Sequence, residues 1–189
     1  MPGPAPEPPG RVNSMRAWSI ILGSAACLAA MGCASFGFMA QRPDALCRLS
    51  PVGAGGAAGR VTFTQKDGYV LVEAVLDGLK PGLHGFHAHE KGDCAGVGAL
   101  AAGGHFDPTL QPHGPGAEEG SHLGDLGNLL ADAQGHAKLS LRDRWIRLSG
   151  PNSILGRALI VQAEPDDLHS QPSGGGGERI ACGIILAPR

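Results

Sequence analysis

Hydrophobic and polar positions alternate in short runs from Arg60 onward. Val61-Thr62-Phe63-Thr64 comes first, then Tyr69-Val70-Leu71-Val72-Glu73-Ala74-Val75-Leu76. A period of two sends alternate side chains to opposite faces, so each run predicts a half-buried strand. His136-Ala137-Lys138-Leu139-Ser140-Leu141, Ala158-Leu159-Ile160-Val161 and Arg179-Ile180-Ala181-Cys182-Gly183-Ile184-Ile185-Leu186 continue the series between Gly, Pro, Asp and Asn. No window keeps a helical period, and Gly and Pro are too frequent for long helices. The pattern predicts an all-β sandwich or barrel.

The front of the chain reads differently. Residues 1–14 are rich in Pro and Gly, whereas Met15-Arg16 opens a mostly small, apolar run from Ala17 to Met31. Arg16 followed by that run has the layout of an export signal, with Met15 as a candidate start. The run falls short of the roughly 20 apolar residues of a spanning helix, and Ser19, Gly23 and Ser24 interrupt it. Ala30-Met31-Gly32-Cys33 resembles a bacterial lipoprotein processing box, which would tether the protein to a membrane through a lipidated Cys33; ordinary cleavage near Ala34 or Ala40 would release it. The expected organisation is an export segment and linker over 1–40 and one folded domain over 41–189. The expected location is the periplasm, free or anchored, or the cell exterior.

The chain of 189 residues carries 15 basic and 17 acidic side chains, and setting aside Arg11, Arg16 and Glu7 at the front leaves a mildly acidic domain. No basic stripe suggests nucleic acid, so expected partners are small molecules and metals. Gly174-Gly175-Gly176-Gly177 lacks a following Gly-Lys-Ser/Thr and reads as a turning loop rather than a phosphate cradle.

Chemistry concentrates in one region. Six of the eight histidines fall between His84 and His122, in Gly82-Leu83-His84-Gly85-Phe86-His87-Ala88-His89-Glu90, Gly103-Gly104-His105-Phe106-Asp107-Pro108 and His113-Gly114 to His122-Leu123-Gly124-Asp125-Leu126-Gly127-Asn128. Imidazole suits copper and zinc, and this many rings with a carboxylate serve two adjacent ions. His87 and His89 flank Ala88, so on a strand both rings project to one face.

From about Ala45 to Pro188 these motifs resemble the copper/zinc superoxide dismutases, of the exported bacterial type. The resemblance implies an eight-stranded, immunoglobulin-like Greek-key barrel with two long functional loops, roughly His89–Leu130 and Glu164–Glu178. Copper would be held by His87, His89 and His105, and zinc by His105, His113, His122 and Asp125, with His105 bridging. Asp166 would hydrogen-bond His87 and His113 from outside the ligand set, and His84 would make structural hydrogen bonds. Arg179 would attract the superoxide anion, with an ion pair to Glu178 as its alternative role. Cys94 and Cys182 would form a disulfide, with Cys47 free and buried on the first strand. A homodimer stays open.

One residue departs from the family. Where its last copper-ligating histidine is expected, the segment Gly156-Arg157-Ala158-Leu159-Ile160-Val161-Gln162-Ala163-Glu164 carries Gln162. An amide oxygen is a harder, weaker donor to copper than imidazole. His169, seven residues on, is the candidate ring to fold back in its place. Two functions follow: an exported superoxide dismutase yielding dioxygen and hydrogen peroxide, or a noncatalytic zinc-bound relative that stores, senses or transfers copper.

Overall fold

A computed structural model describes Gly3, residues 41–54 and residues 56–188. The expected export segment, with Met15 and Cys33, lies outside the described residues. Eight antiparallel strands form a closed barrel: β1 Ala45–Pro51, β2 Ala58–Lys66, β3 Tyr69–Asp77, β4 Gly82–Ala88, β5 Asp125–Ala131, β6 Ala137–Asp143, β7 Ala158–Gln162 and β8 Arg179–Leu186. Their order around the barrel is β1-β2-β3-β6-β5-β4-β7-β8, so the β3–β4 and β6–β7 connections cross over as in a Greek key. Closure leaves no free sheet edge.

In β3 the alternation resolves as expected: Val70, Val72, Ala74 and Leu76 are buried while Glu73, Val75 and Asp77 are exposed. The barrel interior is filled by Phe63, Leu76, Phe86, Leu129, Ile154, Leu159 and Ile185, all fully buried. Each contributes about 1.5–3 kcal/mol through burial, and truncating Phe86 to Ala would cost about 3–5 kcal/mol.

β7 is buried at every position. Leu159 and Val161 face the barrel core, while Ala158 and Ile160 pack with Ala99, Ala102 and Cys182 in a second cluster on the outer face. That outer face carries the histidines, and loops cover it. This explains why Ala158–Val161 is apolar without interruption instead of alternating.

The first functional loop is shorter than expected. It ends at Gly124, because Asp125–Leu130 belongs to β5 and pairs with β4, Leu83 opposite Leu130 and His87 opposite Asp125. Leu126-Gly127-Asn128-Leu129 is poor in β-branched residues, and tertiary pairing overrides that weak propensity. The loop also contains a 3₁₀ segment, Val97–Ala102, kinked where Gly98 and Ala99 take φ of 65° and 53°. The second loop spans 163–178, close to expectation.

Candidate metal centre

β4 and its continuation deliver His87 and His89, and β5 begins with Asp125 directly opposite His87. His89 pairs with His105 in an isolated bridge just beyond β4, bringing the start of the long loop back to its middle. The rings then assemble closely: His87 and His105 stack with centroids 4.0 Å apart, and His89 lies edge-on to His105 at 5.0 Å.

Hydrogen bonds fix one nitrogen of several rings and leave the other without a partner. His87 Nε2 donates to Asp166 Oδ2 at 2.8 Å, and His113 Nε2 donates to Asp166 Oδ1 at 2.9 Å. His89 Nδ1 donates to the Gly103 carbonyl at 3.0 Å. The opposite nitrogens, His87 Nδ1, His89 Nε2 and His113 Nδ1, are buried and unpartnered, as are His105 Nε2 and His122 Nδ1. Buried polar atoms are normally satisfied, so these orphans mark the places where ions fit.

They fall into two groups, His87/His89/His105 and His105/His113/His122/Asp125, each with its ligand atoms within 4.8 Å of one another. His105 belongs to both. Its Nδ1 lies 2.7 Å from Asp125 Oδ1, while Asp125 Oδ2 accepts from the Gly114 N–H at 3.1 Å. His113 Nδ1 and His122 Nδ1 stand 3.1 and 3.4 Å from the same carboxylate. Four donors around one point suit zinc.

Without metal, burial pushes His89 down to about 3 and His105 down to about 4, so both rings are neutral with a lone pair to offer. Burial opposes ionisation of Asp166, but hydrogen bonds from His87, the Leu168 N–H and His113 win and hold it at about 2. An ionised Asp166 fixes the orientation of one ring in each group.

Sequence reasoning missed several supports. Asn128 grips Asp166 by its backbone, donating to its carbonyl at 2.9 Å and accepting from its N–H at 2.8 Å. Gln171 pairs the same way with the His113 backbone, at 2.9 Å in both directions. Asn128 lies inside a recognised motif; no sequence signal marks Gln171. The glycine loop packs on the site itself: a Cβ on Gly174, at φ +69°, would stand 1.9 Å from Asp166 Oδ1. The Gly103-Gly104 pair turns against Glu90, whose carboxylate a Gly103 Cβ would meet at 2.5 Å.

Arg179 opens β8. Its Nη1 donates to the Ala99 carbonyl and its Nη2 to the Gly103 carbonyl, each at 2.7 Å. Glu178 does not neutralise it: among the described residues no carboxylate forms an ion pair with this guanidinium. Arg179 instead lines a cavity of about 770 Å³ with Lys80, Glu178 and the exposed Val97 and Leu100.

The remaining residues fall as follows. Cys94 and Cys182 are bonded, 88 residues apart, and Cys47 is free and buried. The His84 ring lies between the carbonyls of Gln162 and Lys80, at 2.9 and 2.8 Å, a structural position. His169 does not approach the centre: its side chain is 79% exposed and turned to its neighbour Asp167. Asp167 caps its own turn, accepting from the His169 and Ser170 N–H groups. Gln162 closes β7 on the outer face beside His87.

Residues 57–185 match the family described as copper/zinc superoxide dismutase (SODC). An extracellular superoxide dismutase (Cu-Zn) of Brugia pahangi is 41% identical over 140 residues, covering 69% of this chain and 70% of that relative. Among solved structures, the crystal structure of the clock protein EA4 is similar with a TM-score of 0.70 at 39% identity, over 78% of this chain and 97% of that one.

Proposed function

This chain belongs to the copper/zinc superoxide dismutase family, and we propose that it is an exported enzyme converting superoxide and protons to dioxygen and hydrogen peroxide. In this reading His87, His89 and His105 hold copper, and His105, His113, His122 and Asp125 hold zinc. When bound, copper supplies one-electron oxidation and reduction of superoxide while zinc, closed off by four protein ligands, supplies structure.

The protein's own part is to gather the anion, orient the rings and place a proton. Arg179 stays cationic at every physiological pH. With two donors spent on the Ala99 and Gly103 carbonyls, its remaining N–H groups are free to bind an anion beside His89. A fixed positive charge lining a cavity raises the local anion concentration and the association rate. His105 has its Nδ1 turned to Asp125 and its Nε2 unpartnered on the side of His87 and His89, so Nε2 is the atom at which this chain can hold a proton for the product peroxide.

The observation that carries the catalytic reading is the Arg179 anchor. A protein that only stores or passes on copper has no need of an un-neutralised cation fixed beside the copper histidines. Gln162 favours the second reading, a noncatalytic zinc-bound relative that binds or transfers copper, because it removes one imidazole. Export, with or without a lipid tether at Cys33, belongs to the same proposal, and the extracellular relative supports it. Copper and zinc analysis of the purified protein beside a superoxide dismutation assay separates the two: full copper with turnover supports the enzyme, and full copper without turnover supports the binding protein.

A further inference from the structure

Gln162 is 5% exposed, and its side-chain oxygen Oε1 is buried without any hydrogen-bond partner. Every other orphaned buried side-chain atom among the described residues is a ring nitrogen of a proposed metal ligand. The amide is also seated between two glycines that leave room for it. A Cβ on Gly85 would stand 2.5 Å from Oε1, and one on Gly176 would stand 2.2 Å from it.

The same point above Gly85 lies 3.0 Å from His87 Cε1, the carbon bonded to the unpartnered Nδ1. Register agrees, since Phe86 pairs with Val161 and His87 with Ile160, setting Gln162 diagonal to His87 on the outer face. An unsatisfied carbonyl is costly to bury. A cation next to it removes that cost, as one would for the orphaned Nδ1 of His87.

We propose that Gln162 Oε1 is the fourth donor of the His87/His89/His105 copper site, making it a three-nitrogen, one-oxygen set that discriminates in favour of Cu(II). The inference rests on the assignment of those histidines to copper made above. An amide nitrogen has no lone pair to give, so the oxygen is the ligating atom. Oxygen is a harder donor than imidazole, and its contribution therefore falls mainly on Cu(II) rather than Cu(I). The position is thus a retuned site rather than a vacancy.

The test is copper binding and electron paramagnetic resonance on the full chain, with no use of turnover. Gln162→Leu keeps the volume and deletes the oxygen, while Gln162→Glu keeps an oxygen and adds charge. The expected result is Cu(II) affinity weakened roughly 10-fold or more in the Leu variant, with Cu(I) affinity almost unchanged. The Glu variant should hold Cu(II) at least as tightly as the wild type, and the metal-free Leu variant should melt no lower than the metal-free wild type. Spectra should show three coupled nitrogens in the wild type and four in Gln162→His. Equal Cu(II) affinity and identical spectra in wild type and Gln162→Leu would overturn the proposal while leaving the three-histidine site intact. Copper binding that survives His89→Ala in the wild-type background would overturn the site assignment itself, and this proposal with it.

Discussion

Arg179 and His89 share one acceptor: the Gly103 carbonyl takes hydrogen bonds from Arg179 Nη2 at 2.7 Å and from His89 Nδ1 at 3.0 Å. The cation that would guide the anion and a ring that would bind the copper are therefore held by one peptide group. A shift of either is felt by the other. Because Gly103 stands at φ 77°, in the left-handed region, that carbonyl points where few other residues would put it.

Replacing the fork by a single ammonium should break this arrangement. Arg179→Lys cannot reach the Ala99 and Gly103 carbonyls together as a planar guanidinium does. Dismutation should fall roughly 10-fold, and more in Arg179→Glu, with the salt dependence of the rate flattened. Metal content should not change. Stopped-flow rates across ionic strengths check this, and an unchanged salt slope would remove Arg179 from the anion path.

The disulfide should matter for both stability and the arginine. Cys94 and Cys182 close a loop of 88 residues, and Ala99 and Gly103 both lie within it. Removing the bond by Cys94→Ser should cost about 4–5 kcal/mol in the chain-entropy account. Thiol titration of the folded, oxidised protein should find Cys47 unreactive, since burial pushes its thiol up to about 12. A Cys47 that alkylates as fast as a free thiol would contradict its place in the core.

How much of this was legible beforehand depends on the physics of each segment. The period-two runs of β2, β3 and β6 announce strands because one face meets solvent, so their pattern survives in the letters. β7, and β4 from His84 onward, are buried on both faces, which erases alternation; the His-x-His spacing marks β4 and an unbroken apolar run marks β7. The histidines and Asp125 proposed to hold metal stood out in the letters because metal chemistry restricts residue type. Backbone groups were not: any residue at 99 has a carbonyl, so nothing in Val97-Gly98-Ala99 signals that it anchors Arg179. Exposure of His169 likewise follows from turn geometry at Asp167, which composition does not encode.

Zinc should bind without copper. Asp125 contacts His105, His113 and His122 and accepts from Gly114, so Asp125→Ala removes one proposed ligand and unfastens three rings at once. Zinc content should be lost and the melting temperature should drop, read by metal analysis and calorimetry. Unchanged zinc in that variant would sink the assignment.

The metal-free protein should be acid-sensitive well above the carboxylate range. His89 and His105 titrate at about 3 and about 4 when folded, against 6.5 for a free ring. Between those values the unfolded chain binds more protons, so stability is complete above about pH 6.5 and falls as pH drops through this window. Each ring should cost on the order of 2–3 kcal/mol near pH 4.5. Denaturant titrations from pH 7 to 4.5 measure it. A flat profile would mean that the rings are solvated, which the buried cluster forbids.

Gln162→His tests which of the two functions the protein has. Restoring the imidazole gives the copper group four nitrogens, and because losing an outer hydrogen-bonding partner already costs about 10–100-fold, gaining a direct ligand should tighten copper on the order of 100-fold or more. The remaining parts stand ready: Arg179 is anchored and unpaired, and Asp166 already orients His87. Dismutation should therefore rise with copper occupancy, measured by competition titration alongside the rate per bound copper. If copper tightens while the rate per copper stays at zero, the chain is a copper-binding relative, and its arginine serves an anion other than superoxide. If the wild type already turns over at full occupancy and the substitution slows it, then the amide oxygen is the better fourth donor for this barrel, and the departure from the family at this position is an adaptation of the enzyme.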